Sequence, residues 1–262
     1  MKLTVLTENC AGTNFEAEHG LAYLVEHNNN KILFDTGATD VFLRNAKLLN
    51  IDIENEIDTI VLSHGHWDHG GGLEYLNNKT LITHPTSFIK RYRKKDKSSI
   101  GLTLSEDELK EKFKIIKSSK PYIVNDSMIF LGEIPRLNKF EAKTTSFIDS
   151  KKAPDFVPDD SALVLINKDE IIIVTGCSHA GICNIVDYAQ KKFKRSKIKA
   201  VIGGFHLKQN NAQTQKTIDF LKKCEISEIY PSHCTAEPAL EAFEKEFNFK
   251  RLKTGMTLTF WE

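Results

Sequence analysis

The chain has 262 residues, 36 of them basic and 35 acidic, for a formal net charge of +1, with 40% hydrophobic and 27% charged residues. That apolar share supports a sizeable core and excludes a disordered chain, and the balanced charge argues against a dedicated nucleic-acid binder, which carries a basic excess. No run approaches the roughly 20 apolar residues that span a bilayer. Five cysteines (Cys10, Cys177, Cys183, Cys224 and Cys234) are an odd number without framework spacing, so reduced thiols in a cytoplasmic protein are expected.

In chain order, MKLTVLTENC alternates apolar and polar residues and reads as a first strand, since a signal peptide needs a longer apolar core. Leu21 to Glu26 and Lys31 to Phe34 read as a hairpin across Asn28-Asn29-Asn30, residues that tolerate left-handed turns. A helix follows over Asp40 to Asn50, then a short buried strand over Asp58 to Leu62. From about Pro85 to Ser150 the rhythm breaks. This stretch contains KRYRKKDK (Lys90 to Lys97) and a capping box, Ser105 with Glu108, and reads as an insertion or helical lid.

The second half repeats the first pattern. Ser161 to Ile166 and Ile171 to Val174 form a hairpin, and Ile182 to Phe193 a helix. A strand at Ala200 to Ile202, a helix at Asn211 to Cys224, a strand at Glu228 to Tyr230 and a helix at Pro238 to Phe247 complete it. Two hairpin-plus-βα halves point to an α/β protein of two sheets with helices outside. The alternative, a doubly wound parallel sheet, is disfavoured by the hairpins. One domain is expected over residues 1–262.

Directly after the strand ending at Leu62 stands Ser63-His64-Gly65-His66-Trp67-Asp68-His69-Gly70-Gly71-Gly72. In an extended loop His64 and His66 point to one side, so two imidazoles can share a metal ion. Asp68 and His69 offer a carboxylate and an imidazole to a second ion, and the three glycines are expected to permit a sharp turn. Three more histidines follow strand ends, where α/β scaffolds place their sites: His179, His206 and His233.

His64-x-His66-x-Asp68-His69, with Asp35-Thr36-Gly37 upstream and His179 and His233 downstream, resembles the metallo-β-lactamase-fold hydrolases over essentially the whole chain. The runs from Gly176 to Ile182 and from Gly203 to Leu207 are similar to a branch labelled dihydropterin-ribofuranosylaminobenzene-phosphate synthase. The resemblance implies a four-layer αββα sandwich and a dinuclear centre. It places His64, His66 and His179 on one ion, and Asp68, His69 and His233 on the other. Asp35 would orient the ligand loop by hydrogen bonds. Where many members carry a bridging aspartate, this chain has Cys177, a good donor for soft metals. Asp159 and Asp160 are the other carboxylate candidates, with a solvated turn as the competing reading.

The function so implied is hydrolysis of an ester, phosphodiester or pterin-linked phosphate by a metal-bound hydroxide. Two divalent ions are expected, zinc first and iron or manganese as alternatives. Asp68 would orient the water, and His206 would act on the substrate oxygen or leaving group without binding metal. Trp67 and Phe205 would wall the pocket, or simply pack. The basic run from Lys90 would either attract a phosphorylated small molecule or remain a solvated loop. The competing functions are an iron-dependent redox enzyme on the same ligands and a non-catalytic metal- or ligand-binding module. No membrane or nucleic-acid partner is expected.

Overall fold

Asn28 (φ 48°) and Asn29 (φ 60°) both take the left-handed conformation and close the first hairpin as a two-residue turn, with His27 paired to Asn30. Asn30 therefore belongs to the returning strand rather than to the turn. The computed structural model containing this hairpin describes residues 1–194 and 197–261. The chain divides into two compact units. One comprises Met1–Ser119, Ser146–Asp155 and the stretch from Leu252 onward, and the other Lys120–Thr145 and Phe156–Arg251.

The first unit is built on seven strands. Across the sheet they run Thr257–Thr259, Lys2–Thr7, Ala22–His27, Asn30–Phe34, Thr59–Val61, Lys79–Thr83 and Phe113–Lys117. Pairing is antiparallel up to Asn30–Phe34 and parallel beyond it, because the later strands are joined through helices and long connections. The helix Val41–Leu48 buries Phe42 and Ala46 against Leu6, Leu24, Leu33 and Ile60. A small three-stranded sheet joins Pro154–Asp155, Phe147–Asp149 and Arg91–Arg93.

The second unit has six strands in the order Glu228–Ser232, Lys197–Gly204, Glu170–Thr175, Ala162–Asn167, Met128–Phe130 and Tyr122–Asn125. The first three are mutually parallel and the rest antiparallel. Val164, Ile171, Ile173, Val201 and Ile229 share a core with Ile182, Ile185, Val186 and Ala189 of the helix Ile182–Phe193. Ile218 and Leu221 of the helix Ala212–Lys223, and Phe243 of the helix Glu237–Glu244, complete it. Asn211 caps its helix by accepting from the backbone of Gln213 and Thr214.

The α/β class and the paired hairpins are as the sequence pattern indicates. The stretch from Pro85 to Ser150, expected as an insertion, supplies strands to both large sheets: Phe113–Lys117 to one, Tyr122–Asn125 and Met128–Phe130 to the other. Its helix, Glu106–Lys112, does start at the Ser105–Glu108 capping box. Two expectations need correction. Arg91, at the head of the basic run, is fully buried and paired to Asp155 (Nε to Oδ2, 2.9 Å), so it anchors the small sheet rather than facing solvent. None of Gly70, Gly71 and Gly72 takes a positive φ. Gly71 and Gly72 are small because the backbone of Ala38 and Thr36 lies against them: a Cβ at Gly71 would stand 2.3 Å from Ala38 O, and at Gly72 2.2 Å from Thr36 O, while Gly70 is crowded by the Leu102 and Leu62 side chains. Among the described residues, no helix is long and apolar enough to cross a membrane.

Candidate metal centre

In the first unit, the strand Thr59–Val61 delivers Ser63 onto Asp35, which follows the adjacent parallel strand Asn30–Phe34. Asp35 is wholly buried and takes a left-handed conformation (φ 58°). Its Oδ1 accepts from Ser63 N, and its Oδ2 from both Ser63 Oγ and His69 Nδ1, each at 2.7 Å. This network assigns the tautomers. His69 carries its proton on Nδ1 and presents the Nε2 lone pair. Ser63 Oγ, having donated to Asp35, accepts from His64 Nδ1 (2.9 Å), so His64 likewise presents Nε2.

His64 Nε2 lies 3.0 Å from His66 Nδ1. Two imidazoles on one tetrahedral zinc ion, with bonds of 2.0–2.1 Å, would place their nitrogens about 3.3 Å apart. The His64 ring lies 4.5 Å from that of His66 and 4.2 Å from that of His69, so the three imidazoles form one buried group. Asp68 Oδ2 stands 3.9 Å from His69 Nε2. The short helix Trp67–Gly70 makes this compact, bringing Asp68 and His69 round after the extended His66. Gly65 permits it: a Cβ there would lie 1.8 Å from Ser87 O.

In the second unit, the three parallel strands end side by side, with Thr175 paired to Gly203 and Gly204 to Ser232. The loops leaving them carry His179, His206 and His233. Three residues of these loops take left-handed backbone without being glycine: Ser178 (φ 60°), His206 (φ 51°) and His233 (φ 50°). Ser178 Oγ donates to Gly204 O at 2.6 Å, tying the first loop to the second. The His179 and His206 rings are 4.3 Å apart. Donor atoms of Cys177, His206 and Cys234 all lie within 4.8 Å of one another, a group able to hold a soft or borderline metal. Burial pushes the Cys234 thiol up, but hydrogen bonding from the Cys177 and His206 side chains, and the charges of His206 and His233, outweigh it and hold the thiol well below its usual range.

Asp160 is not a solvated turn residue. It is fully buried, and burial pushes its carboxyl up to about 6 against the hydrogen bonds it accepts from the backbone of Ala180 and His179. It holds the backbone of the His179 loop, and joins none of the donor groups among the described residues. Asp159 is buried beside it. Phe205, expected at a pocket wall, lies in the second unit's core against Phe243, with ring centroids 5.6 Å apart. Trp67 is half-buried and packs against His19, with ring centroids 5.8 Å apart and the planes tilted by 52°. Sequence reasoning passed over His19, although Glu18-His19-Gly20 leads directly into the first hairpin. Its Nε2 lies 3.3 Å from Asp68 Oδ2. His84, also passed over, caps the turn Pro85–Phe88.

The family model described as the metallo-beta-lactamase superfamily matches residues 16–86, which contain the whole histidine-rich loop. A 7,8-dihydropterin-6-methyl-4-(beta-D-ribofuranosyl)-aminobenzene-5'-phosphate synthase of Methanocaldococcus jannaschii is 35% identical, covering 99% of this chain and 97% of the relative. A second, uncharacterized protein of that organism is 38% identical over 94% of this chain and 95% of its own length. Among solved structures, Tm1679, described as a metal-dependent hydrolase of the beta-lactamase superfamily, superposes with a TM-score of 0.89 at 30% identity, covering all of both chains.

Proposed function

Given that this chain belongs to the metallo-β-lactamase superfamily, we propose that it is a metal-dependent hydrolase. By its resemblance to that superfamily, the ligand set assigned to it is His64, His66 and His179 for one divalent ion and Asp68, His69 and His233 for a second. Cys177 would offer a thiol where many members of the superfamily carry an aspartate. The observation that carries this reading is the tautomer control around Asp35. Hydrogen bonds to Asp35 and Ser63 leave the Nε2 lone pairs of His69 and His64 presented as donors, which is what a cation requires. The mix of imidazole, carboxylate and thiol suits zinc first, with iron and manganese behind it.

When bound, a pair of such ions lowers the pKa of water and polarises a scissile ester or phosphoester. The chain's own side chains then divide the remaining work. Asp68 accepts a hydrogen bond from the attacking water and aligns it. His206, on its constrained loop, donates a proton to the leaving oxygen. The substrate class is an ester or phosphodiester, with a pterin-linked phosphate as a member of it. The relative named as a synthase handles a compound that ends in a phosphate, so a phosphate-bearing substrate fits either direction of bond chemistry.

The test is elemental analysis of the purified protein together with a screen of phosphodiesters, phosphomonoesters and carboxylic esters. About two zinc equivalents and turnover of one class are expected. His206→Ala should keep both equivalents and lose turnover. Loss of a metal equivalent in that variant makes His206 a ligand instead. Two iron equivalents with no hydrolysis would favour the redox reading, and metal without turnover of any class the binding-module reading.

A further inference from the structure

We propose that His19 is a positioning residue for Asp68, its Nε2–H holding one carboxylate oxygen so that Asp68 meets a cation in a single orientation. The proposal rests on the reading of Asp68 as a ligand. Asp68 Oδ2 lies between two imidazole nitrogens, His19 Nε2 at 3.3 Å and His69 Nε2 at 3.9 Å. In the neutral tautomer set by Asp35, and equally with a cation on His69 Nε2, the second of these has no proton to donate. A carboxylate oxygen facing a lone pair is repelled unless a donor or a cation compensates. His19 is the donor placed to do so.

The placement is built into the backbone on both sides of His19. Glu18 is locked by three hydrogen bonds, accepting from Ala38 N (2.9 Å), Thr39 N (3.3 Å) and Thr39 Oγ1 (2.7 Å). Gly20 is pressed so closely that a Cβ would lie 2.9 Å from Ala38 N and 3.1 Å from Asp68 O. Leu21 N donates to that same Asp68 carbonyl at 3.1 Å, and Gly37 N donates to Leu21 O at 2.9 Å. Residues 19–21 thus engage Asp68 twice, through its carboxylate and through its carbonyl. The His19 side chain is 54% exposed and that of Asp68 12%, so the contact stands where the loop opens to solvent, with Trp67 against the imidazole. An ordinary surface pair would have none of this scaffolding and would contribute little.

Zinc titration against a competing chelator distinguishes the two roles. Wild type, His19→Ala and His19→Gln are compared in zinc affinity and in hydrolysis of bis(4-nitrophenyl) phosphate at limiting and saturating zinc. In His19→Ala the tighter zinc equivalent is unchanged and the weaker one loosens about tenfold or more. Its lost turnover returns with excess zinc. The amide of His19→Gln offers an N–H to the same oxygen and holds the weaker equivalent to within about threefold of wild type. His19→Ala with wild-type affinity for both equivalents overturns the proposal and leaves the metal reading intact. A wild type that binds no second zinc removes the ligand role of Asp68 itself, and the positioning role with it.

Discussion

His69 is fastened to Asp35 by a 2.7 Å hydrogen bond from Nδ1 to Oδ2, and neither side chain has any exposed surface. The same carboxylate also accepts twice from Ser63, so one residue sets the ring of His69 and, through Ser63, that of His64. Asp35→Ala should leave three buried donors without an acceptor. It is expected to lower unfolding free energy by about 3 kcal/mol or more in urea denaturation and zinc affinity by about 10–100-fold. Unchanged zinc affinity in a folded Asp35→Ala protein would refute the tautomer argument.

Gly65→Ala places a methyl group where the Ser87 carbonyl oxygen already stands. The backbone on both sides is packed, so relief requires moving the loop itself. A destabilisation of at least ~2 kcal/mol is expected, with His64 and His66 losing their shared geometry. Urea denaturation and zinc titration check it together, and a neutral variant would show that the Ser87 segment yields easily.

Much of this site was legible in the sequence because its chemistry is local. The spacing of His64, His66, Asp68 and His69 follows from strand period and one tight turn, and Asp35 marks the end of the neighbouring strand Asn30–Phe34. The helix Ile182–Phe193 and the Ser105 capping box could also be read directly, since both rest on neighbours three or four residues away. The role of Gly71 and Gly72 could not, because it depends on Thr36 and Ala38, more than thirty residues earlier. Arg91 hid within a basic run for the same reason: Asp155, its partner, is remote in sequence. His19 carries no spacing signal, and only the fold sets it on Asp68. The strands Phe113–Lys117 and Met128–Phe130 are short and lie where the pattern suggested a lid; sheet pairing, not local preference, makes them.

The buried pair of Arg91 and Asp155 yields a further test. Arg91→Met should destabilise by about 3–5 kcal/mol, because Asp155 is left charged in the interior. Arg91→Met combined with Asp155→Leu should recover much of that loss. A double variant as unstable as the sum of the singles would mean that each residue acts independently, and thermal or urea denaturation of the three variants decides.

Glu141 gives a pH dependence. It is buried and caps the helix Ile182–Phe193 by accepting from the backbone of Cys183 and Asn184. Burial raises its carboxyl, and those bonds and Asn138 only partly oppose the rise. The folded protein therefore holds the Glu141 proton to higher pH than the unfolded chain does. Stability contributed by this group is present below the unfolded-state value near 4.5 and is lost as pH rises through the higher folded value. Glu141→Gln should flatten that slope. The difference in unfolding free energy between wild type and variant, measured from pH 4 upward, should fall as pH rises. The fall amounts to about 1.4 kcal/mol for every pH unit that separates the folded carboxyl's titration from the unfolded one's. A difference that does not change with pH would mean that the two states bind the proton alike.

Cobalt substitution examines Cys177. A thiolate on the metal gives cobalt-loaded protein a sulfur-to-cobalt absorption band in the near ultraviolet, and Cys177→Ser should abolish it while retaining the imidazole-bound ion. Persistence of the band in Cys177→Ser but not in Cys234→Ser would transfer the donor role to Cys234.

Ser178, His206 and His233 occupy backbone angles at which glycine would rest without penalty, and a side chain there costs about 1 kcal/mol each. Selection for heat resistance would push all three toward glycine. Two of those replacements delete an imidazole and the third severs the hydroxyl tie to Gly204. Variants recovered at high temperature should therefore carry their compensating changes elsewhere in the chain, and these three positions should resist drift even when the surrounding loops vary.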